Sequence, residues 1–249
     1  MSYRLFNGDC LELMKRIPDK FIDLILCDLP YGTTRNKWDE IIPFSALWEQ
    51  YKRVCKGAVV LTAVQPFTSA LVMSNVTDFK YDWTWRKEKG TGHLNAKKQP
   101  LRDKEDVLVF YETQPTYNPQ FVAGRPYTAV EKGKYRADKV HAASTYDSFN
   151  KGEGADNSGF RYPKQVLDFQ TVGVGGVHPT QKPVPLMEYL IRTYTNEGDK
   201  VLDNCMGSGT TGVACANTNR HFIGMEMNSE YFAIAKNRIE AANNIKESV

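Results

Sequence analysis

The sequence has no long apolar run: nowhere does it approach the roughly 20 apolar positions that a membrane-spanning helix needs. Its start, Met1-Ser2-Tyr3-Arg4-Leu5, lacks the apolar core of a secretory signal. Paired cysteines are missing too. Cys10, Cys27, Cys55, Cys205 and Cys215 are odd in number and scattered, with neither a disulfide framework nor zinc spacing. The expectation is reduced thiols, a cytoplasmic protein, no membrane and no metal. Nor is there an excess of one charge: 32 Lys and Arg stand against 29 Asp and Glu, a net charge of +3, so the total does not announce nucleic acid. No internal repeat appears. The 249 residues fit one large α/β domain, or one with an insertion, and would crowd two unrelated domains.

Charge is uneven along the chain. Between Lys80 and Lys104, eight basic residues (Lys80, Arg86, Lys87, Lys89, Lys97, Lys98, Arg102, Lys104) face Asp82, Glu88 and Asp103, and eight minus three leaves a surplus of five. Trp83, Trp85 and His93 share the stretch. Basic side chains mixed with aromatics suit a surface facing nucleic acid; a solvated loop between strands is the competing reading.

Apolar spacing alternates between strand and helix. Strands are expected at 4–7, 23–27, 58–62, 83–86, 107–111, 200–204 and 221–226, and helices at 11–16, 44–55, 66–74, 183–195, 210–217 and 229–242. This is an α/β pattern. It breaks between Glu112 and Gly176, where Gly, Tyr, Asn, Ser and charged residues follow no period, and a loop that long is functional or disordered.

Three segments carry chemistry. The first is Asp28-Leu29-Pro30-Tyr31, after the apolar run Leu24-Ile25-Leu26-Cys27. At the carboxyl edge of a sheet, where open α/β folds bind ligands, the Asp28 carboxylate and the Leu29 carbonyl would be two acceptors converging on one exocyclic amine. Pro30 restricts Leu29, and Tyr31 offers a face for stacking on a ring taken out of its strand. By itself the tetrapeptide reads more readily as a turn ending a strand. The second, Val201 to Asn204 followed by Cys205-Met206-Gly207-Ser208-Gly209-Thr210-Thr211-Gly212, contains G-x-G-x-x-G, with Glu226 closing the next strand. A nicotinamide cofactor is one reading. Asp203, however, would repel a pyrophosphate and attract an amine, which suits S-adenosylmethionine, with an ammonium at Asp203 and a ribose at Glu226. The third is His178-Pro179-Thr180-Gln181-Lys182-Pro183, whose prolines fix the path and whose Lys182 could neutralise a ligand carboxylate.

In this order the three segments resemble the β class of DNA amino-methyltransferases, over nearly the whole chain. Asp28 to Tyr31 is similar to that family's Asp-Pro-Pro-Tyr motif, Asp203 to Gly209 to its cofactor loop, His178 to Pro183 to the lead-in, and Asn7-Gly8-Asp9-Cys10 to its adenine-contacting segment. The resemblance implies a Rossmann-like methyltransferase fold: a mostly parallel seven-stranded sheet with helices on both faces, in circularly permuted order. Residues 1–111 would form the catalytic half, 112–176 an irregular target-recognition insertion, and 177–249 the cofactor half.

It also implies roles. Asp9 and Cys10 would bind the adenine of S-adenosylmethionine and Glu226 its ribose. Asp203, the backbone from Cys205 through Gly207, Ser208 and Gly209, and Thr180, Gln181 and Lys182 would bind its methionine part. Asp28 and the Leu29 carbonyl would hold the target amine, with Pro30 fixing the turn and Tyr31 stacking on the flipped base. Asp at the first motif position favours adenine N6 over cytosine N4; a DNA-binding protein that keeps the cofactor pocket without turnover is the other alternative. The implied substrate is double-stranded DNA, for which the basic residues Arg86, Lys87, Lys97, Lys98, Arg102, Lys132, Lys134 and Arg136 are the candidate contacts; a homodimer and a cognate restriction enzyme are the further partners that the class allows. Arg35, Asn36 and Trp38 stand either as a rim beside the flipped base or as core and turn residues. The chain departs from the family pattern in three places. Leu29 replaces a proline, of which only the carbonyl is needed. Asn204 replaces another proline. Cys205 replaces a phenylalanine, whose lost contact would weaken cofactor binding by about 1 kcal/mol.

Overall fold

The computed structural model describes residues 2–32, 39–128, 157–173 and 181–247. It divides into two units, Met1–Asn118 with Gln165–Val249, and Pro119–Lys164. In the first unit, strands β1 (Tyr3–Asn7), β2 (Ile22–Asp28), β3 (Cys55–Ala63), β4 (Phe79–Thr91) and β5 (Arg102–Phe110) alternate with helices α1 (Cys10–Met14), α2 (Phe44–Val54) and α3 (Phe67–Ser74). The second unit contributes the two short strands β6 (Val122–Ala123) and β7 (Phe160–Arg161), which pair antiparallel. The first unit resumes with β8 (Val166–Asp168), α4 (Val184–Tyr194), β9 (Lys200–Asp203), α5 (Thr210–Thr218), β10 (His221–Glu226) and α6 (Ser229–Glu247).

The large sheet runs in the order β1-β10-β9-β2-β3-β5-β4-β8. Pairing is parallel from β1 through β3 and between β4 and β8, and antiparallel where β5 meets β3 and β4. The seven expected strands are present. β8 is an eighth, three residues long, inside the segment that showed no period; so short a run carries no readable alternation.

Alternation along β2 shows why the sheet is covered on both faces. Ile25 and Cys27 pack with Leu47, Trp48, Tyr51 and Val54 of α2 and Phe67 and Leu71 of α3. Leu24 and Leu26 point the other way, into Leu186, Leu190 and Ile191 of α4, Ala214 of α5 and Ile239 of α6. A strand buried on both sides is apolar at every position, as parallel sheets require. Truncating one such leucine to alanine costs about 2–5 kcal/mol.

This order positions the site. From β2 the chain crosses through α2 to β3, and from β9 through α5 to β10 on the opposite side. The adjacent carboxyl ends of β2 and β9 therefore flank a topological switch point, where open α/β sheets form a crevice. Among the described residues no helix is long and apolar enough to cross a membrane.

Candidate functional site

A cavity of about 720 Å³ opens over these strand ends. Its wall takes Asp9 and Cys10 from the end of β1, Asp28 to Tyr31 from the end of β2, Asp203 to Ser208 after β9, and Glu226 closing β10. The sequence segments thus meet in one cleft although more than 200 residues separate the first from the last. Gln181 and Lys182 also line it. His178, Pro179 and Thr180 lie outside the described residues, as do Arg35, Asn36 and Trp38.

Among the described residues, Asp28 is held by three donors. The Tyr31 hydroxyl donates to Oδ1 at 2.6 Å, the Thr62 hydroxyl donates to the same oxygen, and the Lys182 ammonium lies 2.6 Å from Oδ2. A carboxylate offers about four lone-pair positions, so one remains, on Oδ2. Burial, then the negative charges of Asp28 and Glu105, push the Tyr31 hydroxyl well above the usual phenol range, so it stays protonated and donates. Phe67 supports its ring at 5.0 Å between centroids. The turn itself is fixed by Asp39, whose Oδ1 accepts from the backbone N–H of Tyr31 at 2.7 Å and of Gly32 at 2.9 Å.

Burial alone would push the Lys182 ammonium down, but the facing carboxylates of Asp28 and Glu105 outweigh it and hold the pKa above the ordinary lysine value. Only 6% of the side chain is exposed. The resemblance gave Lys182 to the cofactor; in the structure the ammonium lies against Asp28 on the cavity wall.

The other end of the cavity is built from the glycine turn. Glu226 ties it to β10: its Oε2 accepts from Gly207 N–H at 2.9 Å and its Oε1 from Asn228 N–H at 2.8 Å, leaving about two lone-pair positions. Burial raises its pKa, partly offset by those amides and that of Met227. Gly209 precedes α5 at φ 81°, a left-handed geometry that favours glycine. Arg238 donates to the Ser208 carbonyl at 2.5 Å. Asp203 is buried. It accepts from the Thr211 hydroxyl at 2.6 Å and from Cys205 N–H at 3.1 Å. Burial pushes its pKa up to about 7, Thr211 and the Cys205 amide pull against that, and the Asp28 charge adds to it. Asp9 caps α1, its Oδ1 accepting from Leu11 N–H at 2.8 Å and Glu12 N–H at 3.1 Å.

The departures at 204 and 205 have a structural account. Asn204 accepts from the buried Tyr51 hydroxyl at 2.6 Å, a bond that proline could not make. The Cys205 thiol is engaged by those of Cys10 and Cys27, and these contacts, then burial, push it up.

Sequence reasoning missed Thr62, Glu105 and Asp39. Thr62 has a signal in hindsight: it stands in register with Asp28 on β3, a polar residue near the end of an apolar run. Of the basic residues, Lys97, Lys98 and Arg102 are exposed around the turn between β4 and β5. Arg86 is paired with Asp168, Nε to Oδ1 at 2.6 Å and Nη2 to Oδ2 at 2.9 Å. Lys87 is largely buried in an ion pair with Glu105. Trp83 and Trp85 are core, their indole N–H groups donating to the Tyr194 hydroxyl and the Phe169 carbonyl. Lys132, Lys134 and Arg136 lie outside the described residues.

A family model described as DNA methylase matches residues 22–237. The DNA adenine methyltransferase YhdJ of Escherichia coli (strain K12) is 28% identical over 257 residues, spanning 96% of this chain and 83% of the relative. The solved M1.HpyAVI–SAM complex aligns with a TM-score of 0.63 at 25% identity, covering 95% of this chain and 98% of that one. The PvuII DNA methyltransferase, named cytosine-N4-specific, aligns at 0.69 over 99% of this chain and 92% of its own, with 18% identity, a likeness of fold alone. With its Asp-Leu-Pro-Tyr turn and glycine loop sharing one cleft, this chain belongs to the DNA methylase family of N6-adenine and N4-cytosine amino-methyltransferases, whose cofactor is S-adenosylmethionine.

Proposed function

We propose that the protein methylates the N6 amine of an adenine flipped out of double-stranded DNA. The observation that carries this reading is Asp28: a carboxylate at the switch point, clamped by three donors, with one acceptor position left for an amine proton. Asp at the head of the motif and the adenine activity in the name of YhdJ both favour adenine.

The residues fit the cofactor. A volume of about 720 Å³ lies within the roughly 300–1,000 Å³ of small-ligand sites. Asp203 would face its ammonium and Glu226 its ribose hydroxyls, while Asp9, Cys10, Cys205 and the Gly207 to Gly209 turn would enclose the rest. When bound, it supplies an electrophilic methyl group on a sulfonium. The protein's own contribution is positioning, which can be worth several kcal/mol when reacting atoms are held in line. Asp28 and the Leu29 carbonyl would hold the amine with its lone pair toward the methyl group. Tyr31 would stack on the base while its hydroxyl keeps Asp28 in one rotamer. Pro30 and Asp39 would keep the turn rigid.

Residues 112–176 would be the target-recognition insertion between catalytic and cofactor halves, reading base edges in the major groove. Exposed Lys97, Lys98 and Arg102 would meet phosphates. The test is tritiated methyl transfer to unmethylated duplex DNA, digested to nucleosides. N6-methyladenine is expected, and N4-methylcytosine alone would overturn the assignment. Asp28→Ala should reduce transfer by at least a hundredfold; a variant as active as the parent would refute the mechanism.

A further inference from the structure

Glu105, on β5, stands behind the catalytic turn. Its side chain is 11% exposed, and its Oε1 accepts from Lys87, whose ammonium rests 4.9 Å over the Trp85 ring. Its Oε2 is buried and, among the described residues, meets only the Lys182 ammonium, at the long ion-pair distance of 3.4 Å. Buried carboxylate oxygens seldom lack a close donor, and so long a contact needs a reason.

The reason lies in how Asp28 is occupied. Tyr31 and Thr62 fill Oδ1, so an incoming amine must use Oδ2, the oxygen that Lys182 already holds. As the methyl group arrives, the amine nitrogen takes on positive charge. Two cations would then share one oxygen, in a cleft where burial strengthens their repulsion. Glu105 Oε2 is within reach as an alternative acceptor, and Lys87 holds that carboxylate in place from the far side.

We infer that Glu105 is a positioning residue that receives the Lys182 ammonium when the target amine engages Asp28, so that the lysine moves between two carboxylates in each turnover. This rests on Asp28 as the amine-holding group. In the described structure Lys182 stands at the Asp28 end of that path, and Glu105 Oε2 marks the other.

The test measures total tritium transferred to unmethylated genomic DNA at saturating cofactor, with cofactor Kd by calorimetry, for the parent, Glu105→Gln, Lys182→Gln and the double variant. Glu105→Gln should lower kcat at least tenfold while cofactor Kd stays within twofold. In the Lys182→Gln background the same substitution should change kcat by less than twofold, because the group that Glu105 receives is gone. A Glu105→Gln kcat within twofold of the parent overturns the inference. So does an equal loss with and without Lys182, which is what a purely structural role produces, and so does a Lys182→Gln kcat too low to measure. If Glu105→Gln does not fold, Glu105→Asp keeps the charge but sets it back by one methylene; a loss of at least threefold is expected, and parental kcat overturns the idea. Because counts are taken before digestion, an N4-methylcytosine product would overturn the adenine assignment and leave this inference standing. A parent that transfers no methyl group to DNA overturns both.

Discussion

The proposed place of Asp203 beside the cofactor ammonium makes binding depend on pH in a direction that can be worked out beforehand. Its carboxyl is buried and titrates at about 7, raised from 3.8. A cationic group bound beside it requires the ionised form. At pH 6, one unit below the pKa, producing that form costs about 1.4 kcal/mol, so cofactor Kd should be about tenfold weaker at pH 6 than at pH 8. At pH 7 binding should release about half a proton, readable by titration calorimetry in buffers of differing ionisation enthalpy. Stability of the free protein should move the opposite way. The folded-state pKa lies above the unfolded one, so this group's stabilising contribution is fully present below about pH 4 and is lost as pH rises through about 7. Lowering pH from 8 to 6 should therefore strengthen the fold through this group while weakening the cofactor. Asp203→Asn is the control: the variant should lose most of the slope. A Kd independent of pH between 6 and 8, or the same slope in Asp203→Asn, would refute the reasoning.

Three further outcomes are expected. Tyr31→Phe keeps the ring and removes the donor to Asp28 Oδ1; a bond to a charged group contributes about 1.5–3 kcal/mol, so kcat should fall roughly ten- to hundredfold at unchanged cofactor Kd, measured by steady-state methyl transfer. Tyr51→Phe strands the Asn204 amide oxygen in the core and should cost about 1–3 kcal/mol, read from urea unfolding. Replacing Lys97, Lys98 and Arg102 together by alanine should weaken DNA binding and flatten its dependence on log salt by up to about 3; an unchanged slope would remove this turn from the DNA interface.

Much of the frame was legible because burial writes itself into sequence. Leu24 to Cys27 is apolar at every position since both faces of β2 are covered, and β9 and β10 read the same way. Asp28, Asp203 and Glu226 were legible because each closes such a run and so stands at a strand end. What failed to read was partnership. Lys87 and Lys97 look alike in a list of basic residues, yet one is largely buried against Glu105 and the other is exposed. Trp83 and Trp85 looked like a surface for bases, but strand register turns both inward. Lys182 and Asp28 meet across 154 positions of sequence, a contact that no local spacing encodes.

The ladder between β1 and β10 joins Tyr3–Asn7 to His221–Glu226, which has a consequence for synthesis. The first strand leaves the ribosome long before its neighbour exists, and β2 likewise waits for β9 on one side. Until about residue 226 has emerged, β1 has no partner and the cleft has no floor. Loop closure over such spans is slow, and an unpaired apolar strand invites association with other chains. The nascent protein is therefore exposed to aggregation for most of its translation. A break within residues 119–164 would leave two fragments, each bearing open sheet edges that fit the other, so co-expressed halves should find each other and rebuild the cleft.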